Sequence, residues 1–208
     1  MNNRIKYLAD KLYERHTLDR SELYELLSAR TDEAAEYLSR LAREVRESIY
    51  GRAVYLRGLI EFTNYCKNDC YYCGIRRSNR SCERYRLSEE QILECCKTGH
   101  ELGFRTFVLQ GGEDPYYTDE RMCAIVREIK TRYPDCAVTL SVGERSRESY
   151  AKLREAGADR YLLRHETAGP EHYAIIHPSE LSCENRMRCL RDLKELGYQA
   201  GCGFMVGS

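Results

Sequence analysis

The chain has 208 residues, and its 33 basic and 33 acidic side chains leave a formal net charge of +0. That length allows one large domain with a buried core, while the balanced charge, without a basic tail or stripe, argues against nucleic acid as a partner. No apolar run reaches a membrane span and the opening MNNRIKYLADK has no apolar signal core, so a cytoplasmic protein without a membrane partner is expected.

Residues 1–52 read as a helical extension. Leu23, Leu26 and Leu27, then Ala34, Tyr37, Leu38, Leu41 and Val45, recur at three- and four-residue spacing with charges between them. Thr31 followed by Asp32 and Glu33 makes an N-cap with an acidic first turn. Nothing in this stretch suggests chemistry.

From residue 53 to 208 the pattern changes to alternating strands and helices. AVYLRGLIEFTN is rich in β-branched and aromatic residues and reads as a strand. Ser88 and Gln91 form a capping box opening a helix that stops at Gly103, and FRTFVLQ follows as a strand. A second helix, about 119–132, ends before Pro134, and CAVTLS is the next strand. Ser146 opens a third helix that stops at Gly157, before the strand ADRYLL; a fourth, about 183–196, stops at Gly197, before QAGCGFMV. ELGFRTFVL, EAGADRYLL and ELGYQAGCGF thus repeat one phrase: helix end, glycine stop, buried strand. Strand–helix–strand steps imply a parallel sheet with right-handed connections. Five such strands are a little over half of an eight-stranded βα barrel, with a five-stranded flavodoxin-like sheet as the alternative at this level.

The polar signals all follow strands: CKNDCYYC, GGEDPYY, VGER and RHETAGP. The carboxyl ends of parallel strands are where α/β proteins bind ligands, so four loaded ends in succession suggest one continuous site.

Eleven cysteines, an odd number with no signal peptide, oppose a disulfide framework. Cys95, Cys96, Cys123, Cys136, Cys183, Cys189 and Cys202 read as small buried hydrophobes. Cys66, Cys70 and Cys73 differ, being spaced C-x3-C-x2-C in one loop. Three thiolates there can each bond one iron of a 4Fe-4S cube and leave the fourth iron open. Zinc with Cys82 as fourth ligand, or inert structural thiols, are the competing readings.

This loop, with an aromatic residue before its third cysteine and a strand before its first, resembles the signature of radical S-adenosylmethionine (SAM) enzymes. YCGIRR, RYRLSEEQI, VLQGGEDPYY, VTLSVGE, AGADRYLLRHETA, ENRMRCL and LKELGY extend the resemblance from about residue 55 to the end, and to one subgroup, the HydE maturases of FeFe-hydrogenase. Biotin synthase and methylornithine synthase share the fold and triad but are not expected to share RYLLRHETA. The resemblance implies an α/β fold of radical SAM (β/α) TIM-barrel type. It also implies a 4Fe-4S cluster on Cys66, Cys70 and Cys73 with SAM chelating the open iron, and reductive SAM cleavage to an adenosyl radical.

Carried over position by position, it implies that Gly111 and Gly112 let backbone groups approach the amino end of SAM. Ser141 would touch the cofactor, Glu166 would bind its ribose hydroxyls, Arg186 its carboxylate, and Met205, in the fifth strand, its adenine. Arg164 would face the cavity and hold an anionic substrate group, whereas His165, between them, should point the other way and pack structurally. HydE relatives more often read QSGED where this chain has Gly111, a departure that a backbone contact should survive. The implied substrate is a small molecule or small iron complex on the route to the hydrogenase H-cluster, with an electron donor protein and other hydrogenase maturases as partners. The chain ends at GFMVGS, where the family continues into further βα units, so an incomplete sequence is expected. An open strand edge and an uncovered apolar barrel interior should follow.

Overall fold

A computed structural model describes residues 2–208, which divide into two compact units, one running to Tyr55 and the other covering Leu56–Ser208. The first unit is three helices: α1 (Asn3–Arg15), α2 (Arg20–Ser28) and α3 (Asp32–Tyr50). Each begins at a side-chain cap. Asn2 accepts from the Arg4 N–H, Asp19 and Glu22 form a capping box, and Thr31 accepts from the Ala34 N–H, as the sequence suggests. Ile5, Leu8, Leu26 and Ala34 make its small core. Of the leucines that set the α2 pattern, Leu26 is buried, whereas Leu23 and Leu27 are exposed.

The second unit alternates β1 (Gly58–Thr63), α4 (Glu89–Glu101), β2 (Thr106–Gly111), α5 (Asp119–Arg132), β3 (Ala137–Ser141), α6 (Arg147–Glu155) and β4 (Arg160–Leu162). It continues with α7 (Pro170–Ile176), α8 (Cys183–Glu195) and β5 (Gln199–Gly201). All neighbouring strands are parallel, and their order in the sheet is β1-β2-β3-β4-β5. That order separates the two candidate architectures. A flavodoxin-like sheet reverses direction after its first crossover and places helices on both faces; right-handed crossovers that always step the same way place them on one. The sheet is therefore part of a (β/α) barrel wall.

Alternation along each strand sorts its residues between two faces. Ile60, Phe62, Phe107, Leu109, Val138, Leu140 and Tyr161 pack outward against Ile92, Met122, Ile125, Ile129, Tyr150, Leu153 and Leu193 of the helices. Their neighbours line the concave side, and here the expectation of an apolar interior is corrected. Glu61, Gln110, Thr139, Ser141, Arg160 and Gln199 alternate there with Leu59, Val108 and Leu162. Several of these polar groups pair across strands: Gln110 donates to Glu61 (3.2 Å), and Arg160 donates to Gln199 (2.6 Å) and Thr106 (3.3 Å).

Boundaries shift in three places. β1 begins at Gly58 rather than at residue 53, and β4 and β5 are only three residues each. Met205 therefore lies beyond β5, not within it. Its N–H nevertheless reaches the Glu166 carbonyl (2.9 Å), beside an isolated bridge between Glu166 and Phe204. The seven-residue α7 is absent from the sequence reading, because one short amphipathic turn with a single buried residue, Tyr173, carries too little periodicity to register.

Candidate functional site

The loop after β1 carries Cys66, Cys70 and Cys73, all half-buried and none disulfide-bonded. Backbone contacts hold it in place. The Lys67 N–H donates to the Glu113 carbonyl (3.0 Å), that of Tyr71 to Ile176 (3.0 Å), and that of Arg77 to Asn68 (2.9 Å). Arg84, which sequence reasoning missed, closes the loop from beneath by donating to the carbonyls of Ile75 (2.9 Å), Arg76 (2.7 Å) and Asn79 (3.2 Å). Burial raises the Cys66 thiol, and burial with the neighbouring Cys66 pushes Cys70 up to about 11, against a lowering influence from Arg186.

The spacing of these thiols tests zinc against a cluster. One tetrahedral zinc requires sulfurs about 3.8 Å apart, given metal–sulfur bonds near 2.3 Å. No three of Cys66, Cys70, Cys73 and Cys82 bring their sulfurs within 4.8 Å of one another. Cys82 instead accepts from the Asn64 amide (3.6 Å) on the return limb of the loop. Three thiols in one loop suit a cube, which takes one thiolate at each of several corners.

Gly111 and Gly112 end β2 and start the next loop. A β-carbon on Gly112 would lie 2.2 Å from the Tyr65 carbonyl oxygen and 2.7 Å from the Cys66 β-carbon; one on Gly111 would meet Thr63 at 2.7 Å. Gly112 therefore allows the cysteine loop to lie against the end of β2, and Gly111 allows the close approach of β1 at Thr63. Beyond them, Glu113 pairs with Lys67 (3.2 Å) and accepts the Glu144 N–H (2.9 Å). Asp114 is almost fully buried and receives Arg86 through two nitrogens (2.6 and 2.9 Å) and the Thr63 hydroxyl (2.8 Å). Against the effect of burial, these donors hold its carboxyl below the usual carboxylate range. The Arg86 guanidinium also stacks over the Tyr65 ring at 3.8 Å, fixing the start of the cysteine loop.

Ser141 is half-buried at the end of β3, in register with Gln110 and on the same concave face as Thr139, whose buried hydroxyl has no hydrogen-bond partner among the described residues. Arg164, exposed, and His165 and Glu166, both half-buried, lie past the end of β4 rather than in it. Strand alternation thus does not set their directions. His165 stacks on Phe204 with ring centroids 6.2 Å apart. Glu166 has φ +63°, a left-handed conformation costly for a residue with a β-carbon. It is pinned from both sides, its N–H donating to Gly203 (3.0 Å) and its carbonyl accepting from Met205 (2.9 Å).

Arg186, on α8, is buried and forms an ion pair with Glu144 at 2.6 Å, both side chains being only 9% exposed. Its Nη1 donates to the Arg164 carbonyl (2.8 Å), and Asn185 donates to the other Glu144 oxygen (2.6 Å). Glu144 and Arg186 together thereby tie the β3 and β4 loops to α8. VGER contains it, but a lone glutamate in a loop gives no sequence signal of a buried partner.

The short helix α7 braces the cysteine loop from the other side. His177 Nδ1 lies 3.0 Å from the Tyr173 carbonyl, which can only accept, so that nitrogen carries the proton. Nε2 is then an acceptor for the Tyr72 hydroxyl at 3.3 Å. His177 also stacks on Tyr173 at 3.8 Å and meets Tyr72 edge-on at 5.3 Å. The Tyr173 hydroxyl is buried with no hydrogen-bond partner among the described residues, and the charges of Arg186 and Glu144 both act on it. A buried hydroxyl without a partner among the described residues, a buried guanidinium and three free thiols at one rim fit a polar cofactor beside an iron–sulfur cluster.

The sequence profile of the Radical SAM superfamily matches residues 60–208. The chain belongs to the radical SAM superfamily. That family implies a 4Fe-4S cluster and SAM. The chain is 48% identical over 194 residues to the [FeFe] hydrogenase maturase subunit HydE of Thermotoga maritima, covering 93% of this chain and 55% of that protein. It is 35% identical over 200 residues to the 3-methylornithine synthase of Methanosarcina acetivorans, covering 95% of this chain and 56% of that one. The crystal structure of methylornithine synthase (PylB) superposes with a TM-score of 0.85 at 35% identity, over 96% of this chain and 59% of the other. The chain thus spans little more than half the length of the curated relatives it matches. No helix among the described residues is long and apolar enough to cross a membrane.

Proposed function

We propose that the chain is the cluster-bearing part of a cytoplasmic radical SAM enzyme acting in maturation of the FeFe-hydrogenase H-cluster. The observation that carries the enzyme reading is that the Cys66, Cys70 and Cys73 loop meets the loops after β2 and β4, through Glu113 and Ile176, with the buried Arg186 beside Cys70. The maturation role rests on the 48% identity to HydE. When bound, the cluster supplies one electron for cleavage of a carbon–sulfur bond in SAM.

The residues divide the remaining work. Cys66, Cys70 and Cys73 hold three irons and leave the fourth to the amino and carboxylate groups of SAM. Gly111 and Gly112 bring the β2 loop close enough for backbone groups to face the amino end. Arg186, already neutralised on one edge by Glu144, turns guanidinium N–H groups toward the carboxylate. Ser141 supplies a hydroxyl at the end of β3. Glu166 receives the two ribose hydroxyls, and its pinned left-handed backbone aims the carboxylate in advance. Met205, held to Glu166 through the backbone, packs on adenine. Arg164 meets an anionic group of a small substrate on the polar concave face. An electron donor protein and the other hydrogenase maturases are the partners.

Anaerobic reconstitution with iron and sulfide, followed by dithionite and SAM, tests this. The broad visible absorbance of a cluster and formation of 5′-deoxyadenosine are expected, and Cys70→Ala should abolish both. A Cys70→Ala protein that kept the absorbance would overturn the ligand assignment. The 35% identity to 3-methylornithine synthase supports a second reading, an organic substrate at the same site; formation of 3-methylornithine by the loaded protein would establish it in place of the maturase role.

A further inference from the structure

The amino ends of the strands carry a second group of metal-ligating side chains, remote in sequence from the cysteine loop. His100 closes the last turn of α4, while Asp135 and Cys136 form the turn between α5 and β3. The candidate ligand atoms of these three residues all lie within 4.8 Å of one another. His100 Nε2 is 3.3 Å from Asp135 Oδ1, and Cys136 Sγ is 3.8 Å from the same oxygen. Tetrahedral zinc, with bonds near 2.0–2.1 Å to nitrogen and oxygen and 2.3 Å to sulfur, sets these edges at about 3.3 Å and about 3.6 Å. The two edges that meet at Asp135 Oδ1 match those of a tetrahedral face, and the third, from His100 to Cys136, is under 4.8 Å.

The surroundings favour the same arrangement. Arg105 pairs with the other carboxylate oxygen, Oδ2, at 2.7 Å and donates to the His100 carbonyl at 3.1 Å. It therefore turns Oδ1 toward the histidine and the thiol, the role that outer hydrogen bonds play around carboxylate ligands. His100 lies on the Tyr133 ring, centroids 4.7 Å apart, and the Cys136 N–H donates to the Tyr133 carbonyl (3.0 Å), so one tyrosine orients two of the three residues. Cys136 sits at the bottom of the group, buried, while the half-exposed His100 and Asp135 leave a mouth through which an ion and a fourth, solvent ligand could enter.

We propose that His100, Asp135 and Cys136 form a second, mononuclear site for a divalent ion of the zinc and cobalt class. A mixed nitrogen, oxygen and sulfur set selects such borderline ions over magnesium or calcium. Its effect is to clamp the end of α4 to the start of β3, at the opposite end of the sheet from the cysteine loop.

The test uses the 208-residue chain with Cys66, Cys70 and Cys73 changed to Ala, so that the loop thiols do not compete, and Co2+ as the probe. One Co2+ per chain is expected, with thiolate-to-cobalt charge-transfer absorption that zinc displaces. His100→Ala and Asp135→Asn, at half-exposed positions where far-ultraviolet circular dichroism can confirm folding, should each abolish tight binding. Arg105→Met should weaken it about tenfold. In the wild-type chain loaded with its cluster, one zinc per chain should vanish with His100→Ala while cluster iron is unchanged. Absence of a thiolate band, or a band of undiminished affinity in both His100→Ala and Asp135→Asn, would overturn the proposal. Since the loop thiols are absent from the cobalt experiment, this result is independent of the SAM chemistry.

Discussion

At the amino ends of the strands, the chain turns from helix to strand in a few residues. Gly103, Gly157 and Gly197 end α4, α6 and α8 with φ of +89°, +112° and +79°. At the carboxyl ends the connections are longer, and side chains hold their conformation. Asp114 takes Arg86 and Thr63, Glu113 takes Lys67 and the Glu144 N–H, Glu144 takes Arg186 and Asn185, and His177 takes Tyr72. Left-handed residues there include Gly143, with φ of +77°, and also Glu166, which carries a β-carbon. One rim is ordered by local backbone chemistry and tolerates change residue by residue. The other is ordered by contacts between loops distant in sequence, so one substitution there should disturb several cofactor contacts together.

The largest expected effect breaks the second rim. Glu144→Ala leaves Arg186 buried and unpaired, which should cost about 3–5 kcal/mol and lower SAM affinity in the loaded protein. Denaturant melts and equilibrium binding measure the two effects.

A matched pair of glycine substitutions sharpens the contrast. Gly112→Ala drives a β-carbon into the Tyr65 carbonyl and should cost about 1–3 kcal/mol while displacing the cysteine loop. Gly103→Ala meets no atom within 4 Å and should cost about 1–2 kcal/mol, from left-handed strain alone. Cluster loading, read from visible absorbance, should fall in the first and be preserved in the second. Equal loading would remove the distinction between the rims.

The α7 brace gives a smaller, pH-dependent effect. Burial lowers the His177 pKa, with Arg186 adding to the shift. Below about pH 6.5 the unfolded chain binds a proton at this imidazole that the folded chain resists. The unfolded state then binds more protons, so stability falls as pH drops through that range and is insensitive to His177 above it. Thermal melts between pH 5 and 8 should show the loss, and His177→Gln should flatten it.

The smallest effect on stability is expected at Glu166. Glu166→Gly relieves a left-handed residue but frees the unfolded chain, so stability should stay within about 1 kcal/mol. SAM binding should nevertheless be lost, a dissociation between stability and binding that a merely structural glutamate would not give.

Helix boundaries were largely legible in the sequence. Thr31, Ser88 and Ser146 cap helices as their spacing suggests, and α5 spans 119–132 as expected, because caps, glycine stops and periodicity are local signals. Strand alternation also carried the polar concave face, since Glu61, Gln110, Thr139, Ser141 and Arg160 stand at inward positions, yet a bare half-barrel was expected to be apolar inside. At the carboxyl rim the strand-end motifs were visible, and Cys66, Cys70 and Cys73 stood out by spacing alone. Arg84, Glu144, Tyr173 and His177 did not, because their contacts span from 4 to 105 residues along the chain. The His100, Asp135 and Cys136 group was hidden for the same reason: two turns from different βα units meet only once the sheet has formed.

The central claim, three thiolates leaving one iron open to SAM, is tested most directly by electron paramagnetic resonance of the reduced, reconstituted chain with and without SAM. A cluster signal is expected whose shape changes on adding SAM, and which is absent when Cys66, Cys70 and Cys73 are replaced by Ala. A signal that SAM leaves unchanged, or one that survives the triple replacement, would contradict it.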